Sequence, residues 1–254
     1  MTANRIILVL VAVLAIAVSA YLAYDNVLRG DSIAPLALPS AAPSSTGASS
    51  VAATGSVASN DSVASASSGT TTGGALAGTW SVSSGEAGYR VRERLANLPA
   101  ESDAVGRTSA VTGAITIADG NSSVQLTGGT ISVVTTQIAS NESRRDNRLR
   151  TEGLQTDLFP TASFKLTSPV AIPAAALQGT PTNVTLVGDL TLHGVTKSVE
   201  IPAQAQLANG TISVAGSLRF PLSDFDITAP NVGGFILSIA NTGTLEFSVG
   251  FTKS

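Results

Sequence analysis

Residues 184–201 read VTLVGDLTLHGVTKSVEI, and the fold follows from their period. Val184, Leu186, Leu190 and Leu192 fall on one parity around Gly188, while Thr185, Asp189 and Thr191 fall on the other. After His193-Gly194 the alternation resumes as Val195, Val199 and Ile201, with Ser198 and Glu200 opposite. A period of two is the signature of a half-buried strand, and a two-residue break containing glycine joins two such strands into a hairpin. The same pattern extends in both directions. Ile212, Val214, Leu218 and Phe220 follow an Asn209-Gly210 turn, and Leu245, Phe247, Val249 and Phe251 alternate with Glu246, Ser248 and Gly250. Upstream, Ala162, Phe164 and Leu166 follow Pro160, and Val111, Ile115 and Ile117 precede a turn at Asp119-Gly120. About eight strands with one apolar face each close into a sandwich or a barrel. Eight staves make a barrel whose interior is either filled by side chains or wide enough for one small ligand.

One stretch interrupts the strands. SNESRRDNRLRTEGLQT, residues 140–156, is charged and lacks alternation, which predicts a short helix over Ser143 to Arg150 capped by Ser140 or Asn141. On that helix Asp146 and Arg150 are spaced as an i, i+4 ion pair, and Arg145 and Asp146 are placed to tie it to the barrel.

The first third of the chain differs in kind. IILVLVAVLAIAVSAYLAY, Ile6 to Tyr24, carries no charge and no proline. As a helix it would span about 29 Å, close to the hydrocarbon thickness of a bilayer. Residues 1–28 are therefore expected to be a transmembrane anchor with its amino terminus cytoplasmic, or else a signal peptide cleaved after Val18-Ser19-Ala20. Either way the remainder is exported, which puts the C-terminal domain on the periplasmic or cell-envelope side of a single-pass membrane protein. Residues 29–77 are rich in Ala, Ser, Thr and Gly, with few large apolar side chains, and read as a disordered linker. Residues 78–254 form the folded domain. The chain has 254 residues, a net charge of −3 and no cysteine. That balance speaks against a nucleic-acid partner, and the missing thiols exclude a disulfide framework, a thiolate metal site and a cysteine nucleophile.

Several motifs are recognisable in this domain. GDLTLHGVTKSVEI (188–201), RRDNRLRTEGLQTDLFPTASF (144–164), LSDFDI (222–227) and an opening run through Trp80, Tyr89, Val91, Gly106, Val111, Gly113, Ile115 and Ile117 resemble, in order, the landmarks of the YceI-like family of bacterial lipid/polyisoprenoid-binding proteins. The resemblance covers essentially all of residues 78–254. It implies an all-β fold: an extended antiparallel eight-stranded lipocalin-like β-barrel with one short helix and an elongated apolar cavity. It also implies non-enzymatic binding of an isoprenoid or other long amphipathic lipid, a fatty-acyl chain included, with no metal or organic cofactor. The anchor and linker depart from the simplest members, which are small soluble periplasmic proteins, and so bear on any shuttle role.

The row Tyr89, Val91, Ile115, Ile117, Phe164, Leu190, Phe220 and Phe247 is expected to face inward and to line such a cavity. Periodicity alone is equally satisfied by a packed core. The family often has a histidine on the first long strand where Glu93 stands here. An inward carboxylate needs a partner such as Arg145, or water at a cavity mouth. Because Arg92 and Arg94 break the alternation, the strand is expected to end near Glu93. Arg145, Arg148 and Glu93 are the candidate headgroup contacts, since guanidinium groups suit phosphate or pyrophosphate. His193, the single histidine, fits a turn residue bonded to nearby backbone. An envelope hydrolase is disfavoured by one histidine, no cysteine and no Gly-x-Ser-x-Gly elbow. The alternative is an adhesion or assembly domain with a solid core that works through its surface. A homodimer stays open.

Overall fold

The computed structural model describes residues 33–39, 76–96, 101–120, 123–229 and 236–254. Ten antiparallel strands appear among them: β1 Gly78–Leu95, β2 Glu101–Thr108, β3 Val111–Asp119, β4 Val124–Val134, β5 Thr161–Leu166, β6 Val170–Ala171, β7 Thr182–Leu192, β8 Val195–Ala208, β9 Thr211–Pro221 and β10 Ile236–Lys253. They form a closed barrel of eight staves. Each strand from β3 round to β10 hydrogen-bonds its neighbour, with β6 a short appendage on β4, and β10 returns to pair along the whole of β1. Strands β2 and β3 are two halves of one stave. Arg94↔Glu101 through Ala87↔Thr108 and Ser81↔Ala114 through Gly78↔Ile117 share a single register on β1. The break lies at Ser109-Ala110, where Thr108 Oγ1 accepts from the Ala110 amide at 3.1 Å and the Val111 amide turns back to Ser109. The β10–β1 pairing closes the sheet on itself, and the outer side of β2 is held only by the Arg107↔Ala139 bridge, so the long sheet edges that invite edge-to-edge association are largely removed.

The two-residue turns foreseen at His193-Gly194 and Asn209-Gly210 are made, and at Asp119-Gly120 the Gly120 amide donates to the Ser123 carbonyl between β3 and β4. His193 and Gly194 have φ of 52° and 76°, and Asn209 and Gly210 have 52° and 75°, the left-handed pair that matches strand twist in a tight hairpin. Strand β1 continues to Leu95 instead of stopping near Glu93, because the β2 pairing carries it through Arg92 and Arg94. The charged stretch forms helix α1, Ser143–Arg148, prolonged by a π-turn over Leu149–Gly153, and a second one-turn helix, α2, spans Ala174–Leu177. The cap of α1 is Glu142, whose side chain accepts from the Arg144 amide, in place of Ser140 or Asn141. Asp146 does not pair with Arg150. It is buried and accepts from Ser140 N and Oγ, while Arg150 reaches the Ile138 carbonyl and Asn147.

The two ends of the barrel are packed differently. At one end Trp80, Ile117, Val124, Ile212 and Phe251 form a plug, and Trp80 Nε1 donates to the Leu76 carbonyl at 2.9 Å. Leu76 is buried in this plug, so ordered packing begins just ahead of the expected boundary at Gly78. At the other end lie α1, the π-turn and the 3-10 turn Leu222–Phe225, with Phe220 and Phe225 edge to face at 5.2 Å.

Residues 33–39, inside the tract read as a disordered linker, lie extended on the outside of the barrel and hydrogen-bond to it. The apolar segment Ile6–Tyr24 falls outside the described residues. Among the described residues no helix is long and apolar enough to cross a membrane.

Gly210 has open space around the position a Cβ would take, so only its backbone conformation resists substitution. Gly210→Ala is expected to lower the unfolding free energy by about 1 kcal/mol, read as a shifted urea midpoint with an unchanged slope.

Candidate functional site

The interior holds a continuous cavity of about 630 Å³, within the range of sites that enclose a small ligand. On β10 its walls run from Ile239 to Phe251. At the rise of a tilted strand that is an axial length of about 30 Å. The walls are overwhelmingly hydrocarbon.

What keeps this space open is the way its aromatic side chains lie. Tyr89 stands directly opposite Gly106, and a Cβ on Gly106 would sit 2.4 Å from the tyrosine ring. Phe247 stands opposite Gly216, where a Cβ would come within 2.9 Å of its ring. Phe164 covers Gly188 on the next strand, with a corresponding distance of 2.5 Å. Each ring reaches over a neighbouring glycine and rests against the wall of the lumen. The rings supply apolar surface without filling the centre.

Of the expected cavity residues, Tyr89, Val91, Ile115, Phe164, Leu190, Phe220 and Phe247 line this space. Ile117 does not. It shares parity with Ile115, but at 2 % exposure it belongs to the plug beside Trp80 and borders a separate apolar void of about 40 Å³. Parity sets the face a side chain points to, and position along the stave decides whether that face meets the plug or the lumen. Residues not singled out beforehand complete the walls. Leu186, Val214 and Leu245 follow from the same parity, whereas Leu149 and Leu154 come from the helical stretch, where no alternation marks them.

Polar groups gather at the α1 end. Glu93 is 4 % exposed and its Oε1 accepts from Arg145 Nη2 at 2.7 Å, so β1 and α1 are joined by a buried ion pair. Arg145 Nη1 also donates to Asn141 Oδ1 at 3.0 Å. Arg144, Arg145 and Arg148 all border the cavity here, with Glu93 and Glu142 as the acidic members. Tyr89 Oη and Arg145 Nε are buried without a hydrogen-bond partner among the described residues. Burial pushes the Tyr89 phenol up from 10.0 to about 12, with Arg145 acting in the opposite direction. His193 is a turn residue, as its place in the sequence indicated. Its Nδ1 lies 3.1 Å from the Phe225 carbonyl and its ring meets Phe159 edge-on at 4.6 Å.

Residues 80–251 match the YceI-like domain family. The chain belongs to the YceI-like family. Among solved structures, a polyisoprenoid binding domain from Saccharophagus degradans implicated in plant cell wall breakdown aligns with a TM-score of 0.51 at 16% identity, covering 69% of this chain and 98% of that one. Burkholderia cenocepacia BcnA aligns at 0.48 and 13% identity, over 65% and 95% of the two chains. The Campylobacter jejuni YCEI protein aligns at 0.42 and 16%, over 56% and 82%. At 16% identity the likeness to the Saccharophagus degradans domain shows a shared fold. No curated protein sequence matches the chain.

Removing one partner of the Glu93–Arg145 pair strands a buried charge, so Arg145→Ala is expected to cost about 3 kcal/mol. The double variant Glu93→Leu/Arg145→Leu should regain most of it, which denaturant titration of the three proteins decides. The Tyr89 shift has a definite sign. The unfolded phenol ionises near 10.0 and the folded one near 12. Its contribution is thus intact below pH 10 and lost as pH rises through 12, an alkaline loss of about 3 kcal/mol. Tyr89→Phe should remove that part of the alkaline destabilisation, visible as a flatter stability profile above pH 10.

Proposed function

We propose that this barrel binds an isoprenoid or other long-chain amphipathic lipid, without catalysing a reaction, at the cell envelope. The observation that carries this reading is the open lumen of about 630 Å³, plugged with hydrocarbon at the Trp80 end and polar at the α1 end. Such a space matches a molecule with an oily body and one polar terminus. Each buried methylene contributes about 0.8 kcal/mol. Fifteen of them give about 12 kcal/mol, enough for a micromolar complex after an association cost of about 4 kcal/mol. Membership in the YceI-like family supports the same reading, as does the polyisoprenoid-binding description of the Saccharophagus degradans domain. A solid-core adhesion module would need this interior filled, and it is not.

The polar terminus belongs at Arg145, Arg148 and Glu93. Tyr89 Oη and Arg145 Nε are two buried donors without partners, and an oxygen acceptor on the ligand, as in a phosphate, pyrophosphate or carbonyl group, would satisfy both. The uncharged run Ile6–Tyr24 is proposed to hold the protein in the membrane with residues 78–254 on the extracytoplasmic side.

Val214 lines the lumen from β9, and Val214→Trp is expected to occupy much of it. The variant should keep its far-ultraviolet circular dichroism but take up a fluorescent polyisoprenoid or fatty acid at least about tenfold more weakly, an affinity loss of about 1.4 kcal/mol. Mass spectrometry of an organic extract should show a co-purifying lipid with the unaltered protein and little with the variant. Equal uptake by both would refute binding in the lumen.

A further inference from the structure

The outer face of the barrel carries a second built site, and its occupant is the protein's own chain. Glu246 points outward from β10, yet it is only 4 % exposed. Arg90 Nε donates to its Oε1 at 2.7 Å, Arg107 approaches its Oε2 at 3.6 Å, and the Leu36 amide donates to the same oxygen at 3.3 Å. The two arginines in turn hold the segment Ile33-Ala34-Pro35-Leu36-Ala37-Leu38-Pro39. Arg90 Nη2 donates to the Ile33 carbonyl at 2.7 Å and Arg107 Nη2 to the Ala34 carbonyl. Further along, Ser248 Oγ donates to the Ala37 carbonyl at 3.0 Å and Gln206 Nε2 to the Pro39 carbonyl at 3.2 Å. Five side chains from four strands thus hold five backbone groups of this seven-residue segment. Pro35 and Pro39 lower the entropy lost on laying them down.

This strap has a direction. Its Ile33 end lies at Arg90, three residues from Glu93 and the polar end of the cavity, and its Pro39 end lies at Gln206, close to the plug. Ile33, the first residue of the strap, therefore marks its mouth-side end. Only residues 25–32 separate Ile33 from the uncharged run that ends at Tyr24, and fully extended they reach at most about 30 Å. From Arg90 to the far end of β1 is a comparable distance, so with the strap in place the plugged end can turn toward whatever holds Tyr24 only with those residues drawn out to their full length.

We propose that the strap Ile33–Pro39 orients the barrel on its membrane, with the cavity mouth facing the bilayer and the Trp80 plug facing away. This inference rests on the proposed membrane insertion of Ile6–Tyr24 and is independent of which lipid the cavity takes. The strap shortens the effective tether from the whole of residues 25–75 to residues 25–32, and it converts a loosely held domain into one whose opening meets the source of its ligand.

The chain has no cysteine, so single thiols can be added to the full-length protein at exposed positions, Asn147→Cys beside the mouth and Ser123→Cys beside the plug. After reconstitution in vesicles of phosphatidylethanolamine and phosphatidylglycerol, energy transfer to a headgroup-labelled acceptor lipid reports the distance of each end. Transfer from position 147 should exceed that from position 123 by about twofold or more, and replacing residues 33–39 with Gly-Ser repeats should bring the two together. A second variant, Gln206→Ala/Ser248→Ala, removes two strap contacts on the outer wall and should move the ratio in the same direction. Equal transfer from both positions with the strap intact, or an inequality that survives both variants, overturns the orientation. Vesicle flotation is read in parallel. Protein that fails to float overturns the membrane anchor itself, whereas protein that floats and shows equal transfer overturns only the strap's role.

Discussion

The cavity depends on one packing relation repeated round the barrel: an aromatic ring reaching over a glycine of the next strand. Tyr89 on Gly106, Phe247 on Gly216 and Phe164 on Gly188 are separate instances, and in each a single added methyl would collide with the ring. Glycine inside a strand weakens it, since it loses more backbone entropy than other residues and has no side chain to pack. Here the cross-strand ring covers the exposed backbone and returns part of that loss. An eight-stave barrel has an interior barely wide enough for one layer of side chains. Three large rings projecting radially would fill it. Resting against the wall, they leave the axis free, so the same residues that make the interior apolar also keep it hollow.

A hollow apolar barrel must still end somewhere, and the two ends are solved by opposite means. At the Trp80 end the indole is buried with its N–H satisfied by the Leu76 carbonyl, so a large side chain seals the lumen without leaving a polar group unpaired. At the α1 end a sealed plug is replaced by the Glu93–Arg145 ion pair. A lone carboxylate at 4 % exposure would be prohibitive; the guanidinium makes it tolerable, and the pair fixes the helix relative to β1. The helix is short and continues into a π-turn. Asp146, turned back to bind the Ser140 amide and hydroxyl, holds the approach to it. The rim is thus a polar clasp on an oily tube, and its polarity sets the direction in which an amphipathic molecule fits.

Much of this was legible in the residues. Period-two alternation named the staves, and the His193-Gly194 and Asn209-Gly210 dipeptides named two hairpins whose backbone angles came out as such turns require. Seven residues of the inward row border the lumen and Ile117 does not, because parity held there but depth did not: nothing in the alternation says how far along a stave the plug extends. The Glu93–Arg145 contact was accessible because a carboxylate on an apolar face demands a cation. The cap of α1 was harder, since Ser140, Asn141 and Glu142 all carry acceptors and only the path of the chain selects Glu142. The lumen itself was not legible. It arises from ring–glycine contacts between strands, and each depends on register, which a single strand's sequence does not state.

Composition concealed the strap for a related reason. IAPLALP sits in a tract of small residues, and its own side chains bury little, so by any local measure it should remain unordered. Its binding energy comes from the other side: Arg90, Arg107, Gln206, Glu246 and Ser248 address its backbone. The information that orders residues 33–39 is therefore written up to about two hundred residues away, on outward-facing positions of β1, β2, β8 and β10. An outward glutamate whose neighbouring positions on β1 and β2 carry arginines would ordinarily be read as a solvated charge cluster worth little. Covered by a strap, the same cluster loses its water, and each of its charges then needs the partners it has. Removing the strap would rehydrate Glu246 and weaken the demand for Arg90 and Arg107 around it. The outer-face charges and the extended segment are thus mutually dependent, which is why neither could be read from the sequence without the other.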